Sequence, residues 1–295
     1  MKKVGLIGTS PIMLILANHL AKKGKDVTIF ENSKKIGGAW TYYKFNGHYI
    51  STQTNVIVPN NINEEKKIPI LNNYLNKNLS VKIFPNDKRF EPLGYLAKKN
   101  YDYELNYLYN KILKNKKIKI KKKFVKNIKS TKTGAVLDQN EKFDKIYLPT
   151  FAGIKKISTL KKNYKVQSKL IVSEHLLMIA KRLQIDNSLS YSENFDKNFD
   201  RIQIKSYGKY KIFTARIRKE KKGKNIINLI KDSKLLFSHK DLIKIVKTKY
   251  KNYYRNEIER DKLKKICKNT NIVYINSSAL TESFFSLNNK IKLIS

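Results

Sequence analysis

The residues whose types and spacing suggest chemistry are concentrated at the start of the chain. Glycine is needed where φ is positive or where the backbone must come close to a ligand. Six of the eleven glycines lie within the first 47 of 295 residues: Gly5, Gly8, Gly24, Gly37, Gly38 and Gly47. This clustering predicts one specialised backbone segment near the start.

The elements that must position this segment can be read from its apolar pattern. Residues 4–7 form a short apolar run that ends at Gly8, residues 12–23 have helical periodicity, and Asp26–Glu31 is a second apolar run. A strand, a helix and a strand of these lengths are typical of a βαβ unit that begins a nucleotide-binding domain. The pyrophosphate of a dinucleotide would bind at the helix N terminus, where free N–H groups and the helix dipole favour negative charge. Glu31 would accept hydrogen bonds from a ribose diol.

The glycine fingerprint of this unit is incomplete. Aligned with G-x-G-x-x-G, the chain has Gly8 at the first glycine, Ser10 at the second and Met13 at the third. Ser10 leaves less room for the pyrophosphate but can donate its hydroxyl to a phosphate oxygen. Met13 replaces the glycine that permits close packing of the helix on the strand. Gly8, Ser10 and Pro11 are the predicted phosphate-binding turn, and a βαβ unit without a ligand is the alternative.

The residues after Glu31 add a more specific pattern. Glu31 is followed about six residues later by Ile36-Gly37-Gly38-Ala39-Trp40. This combination resembles the FAD-dependent amine-oxidase-like flavoproteins, a superfamily that includes protoporphyrinogen and carotenoid oxidoreductases and UDP-galactopyranose mutase. The resemblance implies an FAD cofactor, with Gly37 and Gly38 passing its flavin side. Trp40 would cover the flavin or serve as a core anchor.

Further segments are similar to this superfamily in family order. Residues 45–50, which include His48, resemble the segment that runs beneath the flavin ring, and residues 90–95 resemble a turn that precedes a long helix. Residues 117–128 have a basic strand pattern. The resemblance implies that Val125 in this strand contacts the adenine through main-chain atoms.

The last part of the chain is less similar to the superfamily. Residues 143–150 resemble the strand that leads away from the nucleotide domain, and residues 271–278 contain the strand that closes it. Asn276 stands where members have a glycine, and Ser277 stands where they have an acid. Ser277 is the predicted equivalent in the flavin-binding turn, although it cannot make the contact of an acid.

Catalytic residues cannot be assigned from spacing, and His48 and Arg216 are the two candidates. His48 could hold a substrate group near the flavin, or it could be a turn histidine with a satisfied hydrogen bond. Arg216 and Arg218 occupy alternate positions of a predicted strand, so both would project from one face as a clamp for a diphosphate or carboxylate. A solvated basic face is the alternative. His175, in the apolar stretch 174–180, is predicted to lie on a helix and to be structural.

Composition excludes several classes of protein. The 63 Lys and Arg against 23 Asp and Glu give a net charge of +40, which ordinarily suggests a nucleic acid or an anionic membrane as partner. Only seven of the 63 are arginine, the residue that makes bidentate contacts to bases and phosphates. Nucleic acid is therefore disfavoured as a partner, while contact with a membrane surface stays open.

Cys267 is the only cysteine and the four histidines are far apart, so no metal site is predicted. With no apolar run near the ~18 residues that span a bilayer and no signal-peptide pattern, the predicted location is the cytoplasm.

The fold predicted from these patterns is α/β, a Rossmann-like parallel sheet for FAD or NAD(P) with a second, smaller α+β substrate lobe. The FAD domain is assigned to residues 1–50, 100–155 and 266–295, and the substrate lobe to residues 51–99 and 156–265. The predicted function is an FAD-dependent oxidoreductase of the amine-oxidase-like class, which transfers hydride from an unknown small-molecule substrate to the flavin. A mutase-like flavoprotein acting on a nucleotide sugar and a non-catalytic nucleotide-binding protein are the alternatives. The positive charge would steer an anionic substrate, and the oligomeric state stays open.

Overall fold

The chain divides into two compact units in a computed structural model that describes residues 2–53, 75–79, 100–138, 140–150, 152–185, 191–193 and 195–275. The first unit comprises Met1–Gly38, Asn106–Ile171 and Asn252–Ser295, and the second comprises Ala39–Leu105 and Val172–Lys251. Each unit is a discontinuous set of segments with its own sheets.

The described α-helices and strands number four and nineteen. The helices are α1 (Pro11–Lys22), α2 (Leu105–Leu113), α3 (Ile226–Asp232) and α4 (Glu257–Cys267). The strands are β1 (Lys3–Ile7), β2 (Asp26–Glu31), β3 (Tyr42–Phe45), β4 (His48–Ser51), β5 (Leu75–Leu79), β6 (Asn100–Tyr103), β7 (Ile118–Lys122), β8 (Asn127–Ser130), β9 (Ala135–Leu137), β10 (Glu141–Phe143), β11 (Lys145–Pro149), β12 (Lys156–Ser158), β13 (Asn163–Lys165), β14 (Lys169–Ala180), β15 (Tyr191–Glu193), β16 (Phe199–Tyr207), β17 (Tyr210–Ile217), β18 (Leu242–Tyr254) and β19 (Ile272–Ile275). None of the described helices is long and apolar enough to cross a membrane.

A parallel sheet forms the centre of the first unit, in the order β19-β11-β1-β2-β7. Every neighbouring pair in it is parallel, with Gly5 opposite both Thr28 and Ile146. The apolar runs of β1, β2 and β11 are continuous because a parallel sheet is buried on both faces. Helix α1 contacts β1, β2 and β7. The predicted βαβ unit and the Rossmann-like fold class are confirmed.

A second sheet in the first unit has the order β10-β9-β8-β12-β13. The single basic strand predicted over residues 117–128 is wrong, because β7 belongs to the parallel sheet and β8 to this second sheet. The chain changes sheet where the Asp138 carboxylate accepts hydrogen bonds from the main-chain N–H groups of Lys126 and Asn127. Val125 therefore lies in the connection between two sheets.

The second unit contains a mainly antiparallel sheet in the order β15-β16-β17-β14-β18 and two antiparallel two-stranded sheets, β3-β4 and β5-β6. The helix predicted over residues 174–180 is wrong, because these residues belong to β14. Leu176 and Met178 pack into one core cluster, while Leu177 and Ile179 pack into another. Because both faces of β14 are covered over residues 176–180, this stretch is apolar without alternation, and its pattern does not distinguish a strand from a buried helix.

Candidate functional site

The candidate site lies at the carboxyl end of β1, in the first unit. β1 lies between β2 and β11, at the point where strand order reverses in the sheet. Open α/β sheets bind ligands in the crevice outside the carboxyl ends of the strands at such a point. Gly8 follows β1 with φ of +82°, and a Cβ added to it would meet no atom within 4 Å. The backbone at Gly8 therefore borders open space.

The start of α1 offers unused hydrogen-bond donors. Ser10 is the N-cap residue, but its hydroxyl accepts no capping hydrogen bond. The Ser10 Oγ is buried and has no partner within the described part of the chain. Pro11 occupies the first helical position, and the first helical bond runs from the Leu14 N–H to the Ser10 carbonyl at 3.0 Å. A hydroxyl and an uncapped helix end are together suited to bind an anion.

Met13 does not prevent α1 from packing on the sheet. Its side chain is fully buried, and α1 contacts β1, β2 and β7. Packing of α1 on the strands is thus achieved without a glycine at the third fingerprint position. This departure from the motif leaves the turn before the helix intact.

Thr9 and Glu31 form a hydrogen-bonded pair that we name the Thr9–Glu31 clasp. The Glu31 Oε2 accepts hydrogen bonds from the Thr9 N–H at 3.0 Å and from the Thr9 hydroxyl at 2.5 Å. The Glu31 Oε1 accepts one from the Ser33 N–H at 2.6 Å. The Thr9 Oγ1 in turn accepts a hydrogen bond from the Gly37 N–H at 2.9 Å. The clasp joins the turn after β1, the end of β2 and the Gly37-Gly38 turn.

The clasp leaves Glu31 with limited capacity for a ligand. A carboxylate has about four acceptor positions, of which three are used by Thr9 and Ser33. Oε1 retains one. Sequence reasoning selected Glu31 but missed Thr9, whose only signal was a hydroxyl-bearing residue directly after Gly8.

The Gly37-Gly38 turn lies against the start of α1. Gly37 and Gly38 have φ of +117° and +57°, values that side chains rarely adopt. A Cβ on Gly38 would come within 3.4 Å of the Ser10 Cα and Cβ. The structure therefore brings Gly8, Ser10, Glu31 and the two glycines together.

Trp40 is buried and belongs to the second unit.

Val125 lies in the connection that leaves the carboxyl end of β7, at the same edge of the sheet as the end of β2. The Lys123 N–H donates to the Glu31 carbonyl at 2.9 Å, and Val125 follows two residues later. Its side chain is buried in the core of the first unit. Within the described residues, its main-chain N–H and C=O form no hydrogen bond. Only its main chain can thus contact a ligand.

His48 and Arg216 both belong to the second unit. The His48 ring is exposed and lies 4.7 Å from the Tyr207 ring, measured between centroids. The Arg216 Nε donates to the Asp200 Oδ1 at 2.7 Å. Arg218 lies beyond the end of β17 and donates to the Asp196 carbonyl. The expectation that Arg216 and Arg218 share one strand face is therefore wrong, since the strand ends between them.

His175 lies opposite Arg216 in the register of β14 and β17. Burial lowers the pKa of His175 to about 3, and the Arg216 charge acts in the same direction. Its Nε2 is 2.9 Å from the Ser173 Oγ. The ring is neutral in the folded protein, which agrees with a structural role. Asn276, Ser277 and residues 90–95 lie outside the described residues.

Comparison with known proteins agrees with this geometry. Residues 7–67 match the model of a family described as an NAD(P)-binding Rossmann-like domain. No curated protein sequence matches the chain. The parallel sheet and the matched residues together define a Rossmann-like fold.

Solved structures extend the likeness to the whole chain. Reduced UDP-galactopyranose mutase has a TM-score of 0.66 at 10% identity, covering 100% of this chain and 94% of that chain. Putrescine oxidase bound to putrescine has a TM-score of 0.60 at 9% identity, covering 99% and 98%. A provisionally assigned protoporphyrinogen oxidase from Exiguobacterium sp. 255-15 has a TM-score of 0.63 at 10% identity, also covering 99% and 98%. The chain thus has the fold that these solved structures share, as the sequence resemblance predicted. At such low identity the likeness shows the fold alone.

Proposed function

We propose that the first unit binds FAD and that the protein is an FAD-dependent oxidoreductase of the amine-oxidase-like class. The observation that carries the proposal is the buried, unpartnered Ser10 hydroxyl at the uncapped start of α1. Ser10 lies beside Gly38. Gly8, which directly follows β1 at the same end of the sheet, borders open space. An orphaned buried hydroxyl is costly unless a ligand satisfies it.

The residues present fit the parts of an FAD molecule. The Ser10 hydroxyl and the N–H groups of the first turn of α1 would donate to the pyrophosphate. The free position of Glu31 Oε1 would accept one ribose hydroxyl, with Oε2 held by Thr9. The main chain of Val125 would contact the adenine. Gly37 and Gly38 would pass the flavin side.

A bound flavin would supply the chemistry of hydride acceptance, while the chain would supply binding and orientation. Residues of the second unit would recognise the substrate, and His48 and Arg216 stay the candidates. Arg216 is already ion-paired with Asp200. An anionic substrate group would therefore have to share the Arg216 guanidinium with Asp200 or displace the Asp200 carboxylate. Arg216 is thus a weaker anion ligand than a free arginine. We further propose a cytoplasmic location.

The decisive experiment compares two glycine substitutions in the purified protein. Gly8 and Gly24 have similar φ of +82° and +77°, and a Cβ added to either meets nothing within 4 Å. Gly8→Ala and Gly24→Ala should therefore cost similar stability, about 1 kcal/mol each. Gly8 precedes the start of α1, whereas Gly24 follows its end. Only Gly8→Ala should weaken FAD binding, by tenfold or more, because its methyl group would occupy space required by the pyrophosphate.

The readouts are the flavin absorbance of the purified protein and a fluorescence titration with FAD. A colourless protein that does not take up added FAD would refute both enzyme functions and favour the non-catalytic alternative. Equal loss of FAD binding in the two variants would refute the proposed site. If FAD binds, a requirement for reduced flavin and a nucleotide sugar would identify mutase chemistry, and flavin reduction by an amine or related small molecule would identify oxidase chemistry.

A further inference from the structure

An exposed phenylalanine ends an apolar run in the second unit. Leu235 is fully buried and Leu236 partly buried in the core beside α3, whereas Phe237 is 63% exposed. A single exposed apolar side chain is common on protein surfaces and needs no explanation. The backbone and the charges around Phe237 distinguish it.

The loop that carries Phe237 is held in one conformation by hydrogen bonds to residues 181–184. The Gln184 N–H donates to the Leu235 carbonyl, and the Lys181 N–H donates to the Asp241 carbonyl, both at 2.8 Å. Ser238 caps the short helical turn after Phe237 by accepting from the Lys240 N–H at 3.2 Å. The ring is therefore displayed by an ordered loop.

Four cationic side chains belong to the same two segments. Lys181, Arg182, Lys234 and Lys240 are all exposed, and with Phe237 we name them the Phe237 surface. The Arg182 guanidinium lies 5.9 Å from the centre of the Phe237 ring.

Within residues 181–185 and 231–244, few carboxylates oppose these cations. Asp241 is 4% exposed and forms an ion pair with Arg182, with 3.0 Å between the Arg182 Nε and the Asp241 Oδ1. Asp232, at the end of α3, is the only exposed carboxylate of residues 231–244. The Phe237 surface is thus basic around one apolar centre.

We propose that the Phe237 surface docks on a bilayer surface that contains anionic phospholipid. Phe237 enters the boundary between headgroups and acyl chains, while the lysine ammonium groups contact lipid phosphates and their stems cover apolar surface. Each lysine near an anionic membrane contributes attraction that falls with salt. Charge complementarity therefore selects an anionic lipid surface over a neutral one.

The single displayed ring and the predominance of lysine in the Phe237 surface favour lipid over single-stranded nucleic acid as its ligand. Nucleic-acid stacking platforms combine several aromatic faces with a basic groove. Here one ring is displayed, and its face is already near the Arg182 guanidinium. Three of the four cations are lysines, which act as point charges and lack the bidentate geometry of arginine.

The test is cosedimentation with phosphatidylcholine vesicles, with and without about one third phosphatidylserine. The wild-type protein should bind only the anionic vesicles, less at high salt. Phe237→Ser should weaken this binding about tenfold, and Lys240→Glu by fivefold or more. The matched control is Leu160→Ser in the first unit, since Leu160 is 66% exposed and is followed by Lys161 and Lys162. It should leave vesicle binding unchanged.

Three results would overturn the proposal. Phe237→Ser could bind as wild type does, Leu160→Ser could lose as much binding, or neutral vesicles could bind equally well. If Phe237→Ser instead loses binding to a single-stranded oligonucleotide while vesicle binding is unaffected, the surface is a nucleic-acid site. Far-UV circular dichroism of each variant checks that it is folded, as expected for substitutions of exposed side chains.

Discussion

Replacing Thr9 by valine tests whether the Thr9–Glu31 clasp holds the turn after β1 in place. Valine has nearly the same shape as threonine but lacks the hydroxyl. The variant loses the hydrogen bond from the Thr9 hydroxyl to the Glu31 Oε2 and the acceptor of the Gly37 N–H. It keeps the bond from the Thr9 N–H to Glu31. The perturbation thus removes one atom that bonds to two partners.

The expected cost follows from the burial of this group. Thr9 is fully buried and Glu31 is 9% exposed. Losing a hydrogen bond to a charged acceptor costs about 2 kcal/mol, and leaving a buried N–H without a partner costs about 2 kcal/mol more. A buried methyl group in place of the hydroxyl returns about 1 kcal/mol. The free energy of unfolding should therefore fall by about 3 kcal/mol.

The assay is urea denaturation followed by far-UV circular dichroism, combined with hydrogen exchange of peptides that cover residues 2–40. Thr9→Ser is the control, because it keeps the hydroxyl and should lose less than about 1 kcal/mol. FAD affinity should fall about tenfold in Thr9→Val because Gly37 and Glu31 lose their shared anchor. Wild-type stability of Thr9→Val, or an equal loss in Thr9→Ser, would show that the hydroxyl does not support the turn.

Two further predictions concern buried cationic or titratable groups. Because burial lowers the pKa of His175 to about 3 from 6.5, stability is complete above pH 6.5 and is lost as pH falls toward 3. The free energy of unfolding should drop by about 2 kcal/mol between pH 7 and pH 5. His175→Gln should lack that part of the slope in urea denaturation at the two pH values, and an unchanged slope would disprove the assignment. Arg255 is 2% exposed and donates through Nη1 and Nη2 to the carbonyls of Thr150 and Ala152. Arg255→Met should cost about 3 kcal/mol by the same measurement, whereas unaltered stability would show that water replaces the guanidinium.

The first unit was predictable where local pattern and tertiary structure agree. The bounds of β2 were predicted to the residue, because Asp26–Glu31 is an apolar run between a glycine turn and an acid. The pattern over residues 117–128 failed because alternation identifies strands and not the sheet each strand joins. The carboxylate of Asp138, eleven residues after Asn127, redirects the chain, and no local pattern shows that contact.

The candidate site was predictable in its glycines and acid but not in its hydrogen bonds. Gly8 has a positive φ and Glu31 ends β2, so residue type and spacing were enough to select both. Thr9 bonds to Glu31 across 22 positions of the chain and to Gly37 across 28. Such a contact becomes visible only when β1 and β2 are aligned in register. The roles of His48 and Arg216 stay predictions, although the Asp200 partner of Arg216 was not foreseen.

The departures from the glycine fingerprint can be understood from what each glycine does. The first must adopt a positive φ, and Gly8 does so at +82°. The second position holds Ser10, a small residue whose buried hydroxyl does not cap α1 and has no partner among the described residues. The third serves helix packing, which a fully buried Met13 also allows. Of the three positions, only Gly8 thus depends on a backbone conformation that favours glycine.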